Sequence, residues 1–169
     1  MLRRLLLALF LGSLLGCAKP DLPDTPVRAA TAADLSAFRT ELGGRFPAEQ
    51  LARFDAALKE IQLDAMNRGV ATAAEREAAM RAAIDGHPVR AAEILGWQAR
   101  RTRLLGEIKL MADMLERDLK IRDQTATTGT PAAVTNRIQN EQDILARLRR
   151  DLAETEQQLA DWGAPVKVP

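Results

Sequence analysis

The residues able to do covalent chemistry are few and far apart. Cys17 is the only cysteine in the chain and His87 the only histidine. Beyond residue 16, Ser36 is the only serine. One cysteine alone provides neither a disulfide nor a cysteine-based zinc site. Ser36 falls beside Leu35 and Phe38 on an expected helix, without the strained turn and adjacent base that activate a serine. His87 lies in the turn Asp85-Gly86-His87-Pro88, where the residue before proline is pushed out of helical geometry. Capping or solvent exposure is its expected role, and pH sensing the alternative. There is no His pair, EF-hand-type acidic loop or glycine-rich phosphate loop. No metal, no cofactor and no enzymatic activity are expected.

Two arginine runs form the other chemical feature: Arg100, Arg101 and Arg103, then Arg147, Arg149 and Arg150. Together they could bind an anionic partner. Their simpler reading is salt bridging with Glu107, Glu154 and Glu156, worth about 0–1 kcal/mol per exposed pair.

The surroundings of Cys17 give it a chemistry. Arg3 and Arg4 precede an apolar run from Leu5 to Leu11, and Gly12-Ser13-Leu14-Leu15-Gly16 leads to the cysteine. Basic start, short apolar stretch and small residue before the cut describe an export signal. The run is short of the roughly 20 residues that a membrane-spanning helix needs. Leu14-Leu15-Gly16-Cys17 resembles the lipobox of bacterial lipoproteins. The resemblance implies cleavage between Gly16 and Cys17 and covalent acyl groups on the Cys17 thiol. Each buried methylene would contribute about 0.8 kcal/mol, so more than one chain anchors stably. Ala18 rather than Asp follows the cysteine, which implies the periplasmic face of the outer membrane over the inner membrane.

Without residues 1–16, enough chain remains for one modest domain. Arg3 and Arg4 leave with the signal, taking the formal charge from +1 to −1. That balance lacks the basic footprint of a nucleic-acid binder. With no Tyr, four Phe and two Trp, and with Ala, Leu, Arg and Glu abundant, the composition suits long helices.

From Cys17 to about Ala30, Pro20, Pro23 and Pro26 predict an extended tether. Helical spacing of Leu35, Phe38 and Leu42 predicts a first helix from Thr31 to Gly43-Gly44. Pro47 opens a second, with Leu51, Phe54, Leu58, Ile61 and Ala65 on one stripe and a stop at Gly69. Thr72 and Glu75 have capping-box spacing for a third helix that carries Met80, Ala83 and Ile84 and ends at Asp85-Gly86. Residues 31–86 thus form a small helical bundle.

A long helix is predicted from Pro88 to Gln124, about 55 Å if continuous. Gly96 and Gly106 inside it cost about 1 kcal/mol each against Ala. A loop at 125–130 turns the chain at Gly129, Thr130 can cap, and Pro131 opens a last helix to Trp162. Residues 164–169 remain as a tail. Ile138, Leu145, Leu152 and Leu159 recur every seven residues in the last helix, with Val134, Leu148 and Trp162 on the companion position and Glu141 and Thr155 as polar breaks. The short loop makes the two helices antiparallel neighbours. The seam then pairs Leu119 with Ile138, Met111 with Leu145, Ile108 with Leu148, Leu104 with Leu152, and Trp97 with Leu159. Trp97 and Trp162 would close its base. A parallel, self-associating coil is the rival arrangement.

Residues 34–95 resemble a family of small helical bacterial lipoproteins of unestablished function. The resemblance rests on Phe54-x-x-Ala57-Leu58-x-x-Ile61, Ile84-Asp85-Gly86 and Ala92-Glu93-Ile94-Leu95. The family's "DGKT" turn has His87-Pro88 here in place of Lys-Thr. It implies a short helical domain after the lipobox and supplies no activity. The chain thus reads as all-α, a short bundle continuing into a long coiled-coil-like hairpin. Its expected role is non-catalytic, structural or protein-binding, at the envelope, through a membrane anchor and a protein partner. The alternative is binding of a small apolar or anionic, lipid-like ligand in a cavity lined by Phe38, Phe54, Leu58 and Ile84.

Overall fold

The computed structural model describes residues 21–127 and 129–165; the export signal and Cys17 lie outside them. The described chain is all-helical: α1 (Ala32–Gly43), α2 (Ala48–Asn67), α3 (Ala73–Ile84), α4 (Val89–Thr125) and α5 (Ala132–Asp161), preceded by a 3-10 turn at Leu22–Asp24. Two helices start on reciprocal capping boxes, Thr31 with Asp34 and Thr72 with Glu75, each satisfying orphan N–H groups at the first turn. The other three start after a proline. Pro47, Pro88 and Pro131 take the N-cap with extended ψ, one position before the first helical residue expected of them. Thr130 does not cap α5; its hydroxyl lies 3.4 Å from the Arg122 carbonyl.

One apolar core joins α1, α2, α3 and the start of α4. Phe38 of α1 meets Phe54 of α2 edge-on, with ring centroids 6.2 Å apart and planes at 81°. Leu58 and Ile84 are buried beside them. These four residues, expected to line a ligand cavity, are themselves packed core; of the four, Leu58 borders an open surface depression of about 390 Å³.

Helix α2 runs beside α4 in the same direction, Ala57 against Gly96 and Glu60 against Arg103. At the first of these points the backbones nearly touch. A Cβ on Gly96 would lie 2.5 Å from the Cα and carbonyl oxygen of Ala57. Helix α5 folds back along the whole of α4 in a helical hairpin. Three contacts fix its register: Trp97 with Trp162, Arg101 with Glu156, and Asp118 with Arg137. Helix α2 ends at Asn67, with Met66 and Leu110 on one cleft. Past that point the hairpin continues for about 20 Å.

The expected tether is corrected by the structure over residues 21–30. They form a strap built into the core, in which Leu22, Val27 and Ala29 are buried. The strap pairs antiparallel with the α3–α4 turn. Val27 N–H donates to the His87 carbonyl at 2.8 Å, Gly86 N–H to Val27 at 2.9 Å, and Val89 N–H to Thr25 at 2.9 Å. Gly86 turns at a φ of 74°, which L side chains rarely adopt. Asp85 Oδ1 accepts from Ala29 N–H at 2.7 Å, and Arg81 Nη1 donates to the Ala30 carbonyl at 2.9 Å. Proline spacing is compatible with this path because the strap N–H groups that bond to the turn belong to Val27 and Ala29, while Pro23 and Pro26 fall where no N–H is needed. At the other end, Ala164 of the expected tail is buried, after Gly163 closes α5 at a φ of 66°.

Because Ala29 is buried, its N–H has no water to replace Asp85. Asp85→Ala should lower stability by about 1–2 kcal/mol in urea unfolding and speed hydrogen exchange at Ala29. A free tether would leave both unchanged.

Candidate interaction surfaces of the hairpin

The hairpin brings the expected seam to one side of each helix. Leu104, Ile138, Leu145 and Leu159 are buried; Trp97, Ile108, Met111, Leu119, Leu148 and Leu152 are half-buried. At the base the indoles of Trp97 and Trp162 meet edge-on, 6.3 Å apart at 76°. Each carries a guanidinium on its face, Arg100 on Trp97 at 4.9 Å and Arg90 on Trp162 at 5.2 Å.

The positions expected as polar breaks lie inside the seam. Thr155 is fully buried, and its hydroxyl donates to the Asp151 carbonyl at 2.7 Å, so it enters the core already satisfied. Glu141 is buried with Oε2 unpartnered. Burial and the nearby Asp118 charge push its carboxyl above the usual range, against Arg137 and Arg117. Asp118 is shifted oppositely. Arg137 donates to it from Nε at 2.6 Å and Nη2 at 2.8 Å, and these bonds hold its carboxyl low. A bidentate clamp and a strained carboxylate thus share one arginine in the distal half of the hairpin.

The two arginine runs are divided among different neighbours. Arg101 Nε donates to Glu156 at 2.8 Å across the hairpin. Arg103 grips Glu60 of α2 through Nε at 3.0 Å and Nη2 at 2.7 Å, and Glu107 through Nη1 at 2.8 Å. The Glu60 bonds raise the Arg103 pKa and hold it charged. Glu107 and Glu156 are expected partners, but Glu60 was not legible because it lies 43 residues away. Glu154 forms no ion pair among the described residues, and neither do Arg147, Arg149 and Arg150, which are exposed. The α4 run therefore contributes structural pairs and a Trp97 stack, and only the α5 run presents free cations.

A smaller cluster at the base escaped sequence reasoning. Glu93 of α4 is 4% exposed, and burial pushes its carboxyl upward against the charges of Arg53 and Arg90. Arg90 Nε is 3.9 Å from Glu93 and has no hydrogen-bond partner. With Leu22, Pro23, Gln50 and Trp162 they wall a cleft of about 60 Å³. His87 is exposed, and only its backbone bonds are used by the fold. Ser36 is exposed on α1. Among the described residues no three or more His, Cys, Asp or Glu are grouped to hold a metal.

Large apolar side chains are exposed off the seam: Leu110 at 60%, Met66 at 47% and Ile121 at 39%. Leu110 and Met66, with Leu63, Thr102 and Gly106, line a cleft of about 680 Å³ between α2 and α4.

No family model, curated protein or solved structure matches this chain. Among the described residues, no helix is long and apolar enough to cross a membrane.

Opposite shifts at Asp118 and Glu141 give opposite pH signatures. Glu141 binds its proton more tightly folded than unfolded, so it weakens the fold as pH rises from the ordinary glutamate value through its raised one. Glu141→Gln should therefore stabilise at neutral pH, with the gain vanishing in acid. Asp118 contributes stability above the ordinary aspartate value and loses it as pH falls through its lowered one. Asp118→Asn should destabilise at neutral pH, with the loss shrinking in acid. Thermal unfolding of both variants from pH 3 to 7 reads the two slopes; parallel slopes would contradict the assignment.

Proposed function

We propose that this protein is a non-catalytic envelope lipoprotein, held through acyl groups on Cys17 at the periplasmic face of the outer membrane. Its hairpin is the surface on which a protein partner docks. The observation that carries the docking role is the apolar exposure outside the seam. Leu110, the most exposed of the large apolar side chains among the described residues, sits where α4 leaves α2 and lines the cleft together with Gly106 and Thr102. A side chain of a partner entering there would remove apolar surface from water, at about 25 cal/mol per Å² buried. The paired charges Asp64–Arg68 and Arg103–Glu107 on the cleft's walls offer a polar rim around an apolar centre. The anchoring reading draws its support from the lipobox residues Leu14 to Cys17.

A ligand held inside the N-terminal bundle has less to recommend it, since Phe38, Phe54 and Ile84 fill the space such a ligand would take.

The test places a photocrosslinking residue at Leu110 and, as control, at Ala153, which is exposed on α5. In intact cells the Leu110 position should give one heterologous adduct that Ala153 does not, and Cys17→Ser should abolish or weaken it. Leu110→Asp should prevent capture of the same partner without lowering the melting temperature. Equal adducts at both positions, or adducts only with second copies of the chain, would contradict the docking role.

A further inference from the structure

The strap places the start of the folded body at one end of the molecule. Leu22 and Pro23 wall the cleft that also holds Arg53, Arg90 and Trp162. Only Ala18, Lys19 and Pro20 separate Cys17 from Asp21. Four residue steps reach at most about 14 Å in any conformation. A lipid on Cys17 would therefore lie within reach of this cleft.

The residues met there suit a headgroup layer. Arg53 is exposed and forms no ion pair among the described residues. Arg90 lies over the Trp162 ring with its Nε buried and unpartnered, so the outer nitrogens of its guanidinium are the ones a headgroup could reach. Trp162 is half-buried beside them. Tryptophan settles at the membrane–water boundary, and arginine donates to phosphate oxygens in a planar fork. The cleft holds about 60 Å³, room for a few water-sized groups such as phosphate oxygens. Glu93 at its floor is offset by both arginines. Asp21 and Asp24, exposed on the strap, oppose an anionic headgroup, so any attraction rests on the arginines of the cleft alone.

We infer that the base of the hairpin, at the cleft walled by Arg53, Arg90 and Trp162, rests on anionic phospholipid headgroups, with the loop at 125–130 directed away from the bilayer. The inference depends on the anchoring reading of Cys17 and adds to it a surface and an orientation. The hairpin's exposed apolar stretch is then presented some way into the periplasm, where a partner can reach it.

The test uses the full acylated chain in vesicles of phosphatidylethanolamine and phosphatidylglycerol carrying a headgroup nitroxide. Trp97→Phe leaves Trp162 as the only tryptophan, and a dye on Thr127→Cys reports the hairpin tip. Trp162 should be quenched and the tip dye should not. Arg53→Gln should lower the ratio of docked to undocked protein about fivefold. Unquenched Trp162, equal quenching of the tip, or an unaltered ratio in Arg53→Gln would each overturn the inference. The mass of the Cys17 peptide is read on the same sample. Absence of acyl mass overturns the anchoring reading and this inference together; acylated protein with unquenched Trp162 overturns this inference alone.

Discussion

The contact on which the architecture depends is the crossing of Ala57 and Gly96. With no side chain on one helix and a methyl on the other, α2 and α4 approach until backbone meets backbone. That closeness lets Phe54, Leu58 and Ile61 reach the same core as Val89 and Ala92. Helix α2 in turn packs on α1 and α3, so this crossing sets how closely the bundle sits on α4, which the strap and α3 also touch. The Arg103 fork on Glu60 lies farther along the same interface and fixes its rotation and register. A glycine inside a helix costs about 1 kcal/mol in propensity. Here that cost is offset by packing that no larger residue allows.

The hairpin obeys a different constraint. Its seam is apolar enough to hold two helices together, but a uniform heptad would tolerate sliding by a repeat. The buried polar groups prevent that. Asp118 and Arg137 meet across the hairpin in a two-bond fork, and Arg101 meets Glu156 nearer the base. A slip of one turn would leave the buried Asp118 without its arginine, and stranding a buried charge costs more than the pair contributes. The carboxylate of Glu141, buried beside the same arginine with its pKa pushed up by that burial, is a further marker of register.

Periodicity and capping made the helices legible. Seven-residue spacing from Ile138 to Leu159, the Thr72–Glu75 box and the glycine stops appear in the fold within a residue or two. What sequence hid was set by contacts distant along the chain. Pro20, Pro23 and Pro26 read as a tether because their composition resembles one, while the strap's burial depends on the α3–α4 turn some sixty residues later. Gly96 and Gly106 look alike locally, yet one faces Ala57 and the other has nothing within 4 Å. Arg100, Arg101 and Arg103 read as one basic patch because they are neighbours in sequence. A helix turns 100° per residue, which sends them to Trp97, Glu156 and Glu60 respectively. The Arg53–Arg90–Glu93 cluster joins two helices forty residues apart, and nothing in its local spacing announces it.

Helices α2 and α4 are held by a contact that only glycine permits. The direct measurement is urea unfolding of Gly96→Ala beside Gly106→Ala, which shares the helix and the propensity gain but lacks the neighbour. Gly106→Ala should be stabilised by up to about 1 kcal/mol. Gly96→Ala should be destabilised by about 1–3 kcal/mol, as an overpacked site is. If Gly96→Ala gained stability as Gly106→Ala does, the crossing would not be the constraint that sets this fold.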